Sequence, residues 1–175
     1  MTDYDKPCRK CGEQFTPYRT TDKFCYLCTK TEQALKNLAK MKKEKHKQAK
    51  EELLTMSDYL KLTQQIFNKY INIRDSGRPC ISCFKPIQGR VNASHYYNAN
   101  NHYSLRFDED NVHSSCINCN QHLHGNLIQY RKGLQERIGE ARIMRLDELS
   151  NETRKFTKDE LKELITEYKQ KIKNL

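Results

Sequence analysis

His95, Asn111 and Asn120 stand in one window with two Cys-x-x-Cys pairs, Cys80/Cys83 and Cys116/Cys119. Thiolates at this spacing chelate zinc, and two pairs close one tetrahedral Cys₄ site. The loop that zinc would clamp carries His95 and Asn111, and Asn120 follows the last thiolate directly. Hydrolysing a phosphodiester requires an activated water, in-line geometry and positive charge on the developing oxyanion. A histidine held on a strand can deprotonate water near neutral pH, and His95 is placed for that. Asn120, at the start of a helix, offers an oxygen donor to a divalent ion. Asn111 sits in the connecting loop, where its amide can tie backbone to backbone and hold the His95 hairpin. Singly, each residue also fits a packing or loop role; the order of all three relative to the two knuckles points to chemistry.

The other four cysteines form two more knuckles, Cys8/Cys11 and Cys25/Cys28, so all eight fall into matched pairs. A redox Cys-x-x-Cys does not account for four such pairs, and two structural Zn²⁺ ions do. Met1-Thr2-Asp3-Tyr4 opens no apolar leader, and no window approaches the roughly 18 apolar residues of a membrane helix. The expectation is therefore a cytoplasmic protein with reduced thiols, no membrane partner and no small-molecule substrate. With 175 residues, 36% hydrophobic content and no Trp, a single large core is not expected. Small zinc modules joined by helices fit better, because bound metal supplies folding free energy.

These modules are placed by an α+β, mostly helical chain in four segments. Residues 1–29 form an N-terminal Cys₄ module resembling a zinc ribbon, without a His and so without visible catalytic equipment. Residues 30–75 hold a basic helical linker and a packing helix: a long helix over 29–55, free of Gly and Pro, then a second from near Ser57 to Arg74. Residues 76–150 hold the zinc-stapled core, with a strand over 90–97, a returning strand over 102–107, and a helix from Asn118 to Arg137 jointed at Gly125. A short helix follows over 140–149. Residues 151–175 close with an amphipathic helix behind a capping box at Thr157 and Glu160.

The net charge is +10. It is concentrated: Lys36, Lys40, Lys42, Lys43, Lys45, Lys47 and Lys50 face the single Glu44, whereas residues 76–150 carry nine Lys or Arg against seven acids. A solvated helix is the plain reading; beside a nuclease-like core, a phosphate-tracking helix is the better one. Arg106, Arg131 and Lys132 are further candidates for phosphate contact.

The order C-x-x-C, H, N, C-x-x-C-N over residues 80–126 resembles the zinc-stapled HNH endonucleases of the ββα-metal class. It is similar to the Holliday-junction resolvase endonuclease VII of phage T4, in which a Cys₄ site encloses a catalytic His and an Asn follows the last Cys. A closer resemblance covers nearly the whole chain. Cys8 to Pro17, Phe67 to Asp75 running into Pro79-Cys80-Ile81-Ser82-Cys83, Leu105-Arg106-Phe107, and Asn120-Gln121-His122-Leu123-His124-Gly125-Asn126 resemble the lambdoid phage NinG family, also called Rap.

That resemblance implies structure-specific, metal-dependent cleavage of branched DNA, such as Holliday junctions, D-loops and forks, during phage recombination. His95 would be the general base, Asn111 the orienting residue and Asn120 a ligand of Mg²⁺ or Mn²⁺. A homodimer is implied by analogy with resolvases, which cut both strands. In one respect the chain departs from the HNH pattern: many such sites place an Asp before the catalytic His, and here that position is Ser94. His124, one helical turn beyond Asn120, is a candidate to complete the site, with His113, His122, Asp108 and Asp110 as alternatives. The competing reading is a non-catalytic, zinc-dependent DNA-binding recombination mediator in which His95 braces the hairpin. A structural zinc scaffold for protein partners leaves the basic helix without a purpose.

Overall fold

The computed structural model describes residues 5–175 apart from the side chain of Lys47; residues 1–4, which enter the reading of the leader, lie outside it. The chain divides into two compact units, Met1–Leu54 and Thr55–Leu175.

In the first unit, β1 (Lys6–Pro7) pairs antiparallel with β2 (Gln14–Phe15), and the Cys8/Cys11 knuckle lies between them. The turn closes at Gly12, whose N–H donates to the Cys8 carbonyl at 2.9 Å. Gly12 has φ +79°, a left-handed conformation that glycine adopts without steric cost. The second knuckle runs into α1 (Tyr26–Glu52), a helix of 27 residues. From Gln33 onward every described side chain of α1 is exposed, so this stretch rests on helix propensity and local pairs such as Glu32–Lys36 at 2.7 Å.

The second unit opens with α2 (Met56–Arg74), capped by a reciprocal Thr55/Asp58 box. The expected linker and packing helix thus part company at Leu54, and α2 belongs with the core. The strands β3 (Val91–His95) and β4 (Val112–Cys116) pair antiparallel, in a register running from Val91 opposite Cys116 to His95 opposite Val112. This corrects the expected hairpin, because residues 102–107 do not form the returning strand: Tyr103–Leu105 is a 3₁₀ turn. After β4 the chain makes a one-turn π-helix, Asn118–His122. It then passes through three left-handed residues, His124, Gly125 and Asn126, into α3 (Leu127–Ile138). The joint expected at Gly125 is there, as a break between the two helical segments. Next come α4 (Glu140–Leu149) and α5 (Lys158–Asn174), the latter capped by Thr157 and Glu160 as expected.

Two clusters hold this unit together. Ile81, Tyr130, Leu134 and Ile143 pack the first knuckle of the core against α3 and α4. Phe67 of α2 and Tyr168 of α5 meet edge to face at 4.9 Å, and Phe107 joins Phe67 at 5.8 Å. The knuckle and α3 are so close that a Cβ on Gly133 would lie 2.0 Å from the Ile81 carbonyl oxygen. No described helix is long and apolar enough to cross a membrane.

Candidate metal centres and nuclease site

Both sets of cysteines converge: Cys8, Cys11, Cys25 and Cys28 form one cluster, and Cys80, Cys83, Cys116 and Cys119 the other, with all sulfurs of a cluster within 4.8 Å of one another. Cys11 and Cys25 sulfurs lie 3.8 Å apart, and those of Cys83 and Cys116 3.9 Å. A disulfide would need about 2.05 Å. A tetrahedral ion with Zn–S bonds of about 2.3 Å sets ligand sulfurs about 3.8 Å apart. The donor set and its spacing therefore fit a structural zinc ion at each cluster. Amide groups already support the sulfurs in the core: the Cys116 N–H points at Cys80 Sγ at 3.4 Å, and the Asn126 amide at Cys119 Sγ at 3.9 Å. Burial raises the Cys80 thiol, but backbone N–H groups of Cys83, Cys116 and Ser82 bring it down to about 7. Cys119, buried and beside its fellow sulfurs, is pushed far up. Four thiolates here need a cation to coexist.

His95 ends β3 directly opposite the start of β4. Its Nε2 lies 3.1 Å from the Arg106 carbonyl oxygen. A carbonyl can only accept, so Nε2 carries the proton and donates, and Nδ1 keeps its lone pair. Among the described residues Nδ1 has no hydrogen-bond partner. Burial lowers the pKa and the Arg106 charge adds to this, against the opposing hydrogen bond to the Arg106 carbonyl, so the neutral imidazole is favoured.

Asn111 is fully buried and does what its loop position suggested. Its oxygen accepts from the Tyr97 N–H at 2.7 Å, and its amide donates to the carbonyls of Tyr97 at 2.9 Å and Leu105 at 3.0 Å. It thereby binds the residues just past His95 to the 3₁₀ turn preceding Arg106, fixing both ends of the His95–Arg106 contact.

Several residues of this arrangement escape a sequence reading. The buried Tyr130 hydroxyl donates to the Ser94 carbonyl at 2.7 Å and accepts from the His113 N–H at 3.0 Å, stitching α3 to both strands beside His95. In the sequence Tyr130 is simply one apolar position of a helix. Asp75, just past the end of α2, is buried under the hairpin. Burial opposes its charge, yet the Arg74 guanidinium and the Ser114 N–H at 2.9 Å hold its carboxyl well below the usual range. Arg74 also donates to His113 Nδ1 at 3.1 Å, and His113 Nε2 faces the Asp110 carbonyl at 3.1 Å. Both nitrogens of His113 are thus engaged, and it is not free to bind a metal.

The acidic candidates are engaged too. Asp110 is gripped by Arg142 and Arg145, and Asp108 by Arg145 at 2.9 Å. Asn120 is half-buried in the π-helical turn. His122 and His124 are exposed. The premise that His124 shares a helical face with Asn120 does not hold: the helix ends at His122, and His124 sits at φ +48°. Asn120 and these two imidazoles are too few for a six-oxygen Mg²⁺ shell, so the side chains present do not by themselves make a complete hard-cation site.

Of the basic candidates, Arg131 is paired with Asp147 at 3.2 Å and Glu140 at 3.1 Å. Arg106 donates to Gln64 at 3.1 Å and lies over the Tyr103 and Phe107 rings. Lys132 is exposed on α3, and so are the α1 lysines apart from Lys47, whose side chain lies outside the described residues; of these, Lys36 is paired with Glu32.

The sequence matches the family described as Bacteriophage Lambda NinG protein over residues 2–175, a span that takes in both cysteine clusters. The chain belongs to the NinG family. Protein ninG of Escherichia phage 933W is 32% identical over 188 residues, covering 97% of this chain and 93% of that protein. The ninG proteins of Salmonella phage P22 and Escherichia phage lambda are 41% and 40% identical over 119 residues, 68% of this chain. Those alignments take in 58% of each relative, so the chain spans less than two thirds of their length. No solved structure matches this NinG-family chain.

Proposed function

We propose that this chain is a structure-specific DNA endonuclease of the HNH, ββα-metal type that cleaves branched recombination intermediates, with His95 as general base. One observation carries the reading. Of the two histidines on the hairpin, His113 spends both ring nitrogens on internal partners, while His95 favours its neutral form, is held by one nitrogen and keeps the other for a water proton. Support also comes from the sequence of a hairpin, a zinc knuckle and a helix, in which Asn111 and Tyr130 brace the His95 end. In this mechanism Nδ1 takes the proton as the water oxygen bonds to phosphorus and the opposite P–O ester bond breaks, releasing one strand end as its alkoxide to be protonated by solvent, and the Arg106 carbonyl stabilises the imidazolium through Nε2. Asn111 acts as a positioning residue. A divalent ion would supply charge at the leaving oxygen, with Asn120 as its protein ligand; no step above passes through it.

The test is His95→Ala on labelled Holliday junction, fork and linear duplex with Mg²⁺ or Mn²⁺. Cleavage of branched DNA should fall by roughly 10² to 10⁴, with zinc content and junction binding intact. Full cleavage by His95→Ala would leave the recombination-mediator reading ahead, since His95 would then only brace the hairpin.

A further inference from the structure

The N-terminal unit carries a groove that its zinc site and fold do not use. Phe15, Tyr18, Phe24, Tyr26 and Lys23 line an open depression of about 490 Å³, with threonines and Asp22 between them. Tyr18 is 95% exposed and Tyr26 70%, so these rings hold nothing together. No lining residue is aliphatic. A docking site for an apolar protein segment would be expected to include Leu, Ile, Val or Met, whereas bare aromatic faces suit partners with π-faces of their own.

The surrounding charge selects among such partners. Between residues 5 and 54 there are thirteen Lys or Arg against seven acids, an excess that survives the two negative charges of a Cys₄ zinc site. Lys30 lies over the Tyr26 ring at 5.2 Å, at the edge of the groove. Among the described residues no carboxylate pairs with Arg9, Arg19 or Lys23. Asp22, part of the groove lining, accepts from the Arg19 N–H at 2.8 Å.

We infer that the N-terminal unit binds unpaired nucleotides, with bases stacked on Tyr18 and Tyr26 and phosphates near Arg9, Arg19, Lys23 and Lys30. Such a platform recognises single-stranded DNA regardless of sequence, because every base has a π-face. The inference rests on the proposal that DNA is the partner, but not on His95 being catalytic. It gives the otherwise non-catalytic module a role: reading the unpaired segments of a fork or D-loop.

The experiment uses the full-length, zinc-loaded protein and compares labelled oligo-dT with a duplex of equal length by fluorescence anisotropy. Tyr18→Ala/Tyr26→Ala should bind oligo-dT on the order of 10- to 100-fold more weakly, lose far less on duplex, and keep both zinc ions. Tyr18→Phe/Tyr26→Phe should bind as the parent does, since stacking needs the ring and not the hydroxyl. Unchanged oligo-dT binding by the alanine variant, or an equal loss on duplex, would overturn the inference; the first result would hand the groove to a protein partner. His95→Ala should retain oligo-dT binding in full, so failure of the nuclease reading and failure of this one are told apart.

Discussion

At His95 the Arg106 carbonyl fixes the tautomer and leaves Nδ1 open, as the proposed role of general base requires. A base works only when unprotonated, and burial shifts His95 below the ordinary value of 6.5. The acid limb of kcat/KM against pH, measured at subsaturating DNA where it reports the free protein, should therefore have its midpoint below 6.5. The same shift has a stability consequence of fixed sign. Below 6.5 the unfolded chain takes up the proton first, so stability falls as pH drops through the window down to the folded value. Asn111 invites a sharper test. Asn111→Asp keeps the acceptor for the Tyr97 N–H but sets a carboxylate oxygen against the carbonyls of Tyr97 and Leu105. It should destabilise the core more than Asn111→Ala, which strands the same buried groups at a cost of about 2–4 kcal/mol. Chemical denaturation of both variants gives the order, and the reverse order would mean that Asn111 is not donating to those carbonyls.

Among the elements, legibility followed the physics of each signal. Cysteine spacing, the capping box at Thr157 and Glu160 and the Gly/Pro-free run of α1 are local rules, and they placed the two cysteine clusters, α5 and α1. The partner strand was missed because β4 has the composition of a loop: His113, Ser114 and Ser115 are polar yet buried. The polar groups of His113 and Ser114 are answered by Asp75, Arg74 and Tyr130, residues 15 or more positions away, and no local pattern announces such partners, while the Ser115 hydroxyl has no hydrogen-bond partner among the described residues. The approach of α3 to the first core knuckle is likewise a tertiary fact. Gly133→Ala improves helix propensity by about 1 kcal/mol, but its methyl would meet backbone at Ile81. The expected result is net destabilisation by about 1–3 kcal/mol in denaturant titration. A stabilised variant would show that α3 can move off the knuckle freely.

For the molecule as a whole, the basic charge is carried mostly where no fold depends on it. The exposed stretch of α1 can lose cations without unfolding anything, so replacing Lys42, Lys43, Lys45 and Lys47 with Gln should leave zinc content and helicity unchanged. DNA binding should weaken on every substrate, and the salt slope should become shallower by about 0.9 for each phosphate that the helix no longer neutralises. Cleavage at saturating DNA should change little, and an unchanged salt slope would make the run a solvated face only. Because each unit has its own cysteine cluster, Cys116→Ser should remove one zinc ion and unfold the core, while the ion of the N-terminal unit remains by metal analysis.

The register of the hairpin bears on how inhibition is to be read. Val91, which begins the strand of His95, is paired with Cys116, a member of the core cysteine cluster. A chelator that strips this cluster would loosen the hairpin from that end and, under the proposed function, abolish cleavage even if no ion ever touched the scissile phosphate. Loss of cleavage in EDTA is therefore an ambiguous signal in this protein. A requirement for a catalytic ion is demonstrated when activity returns on adding Mg²⁺ or Mn²⁺ to protein whose zinc content was verified before and after treatment.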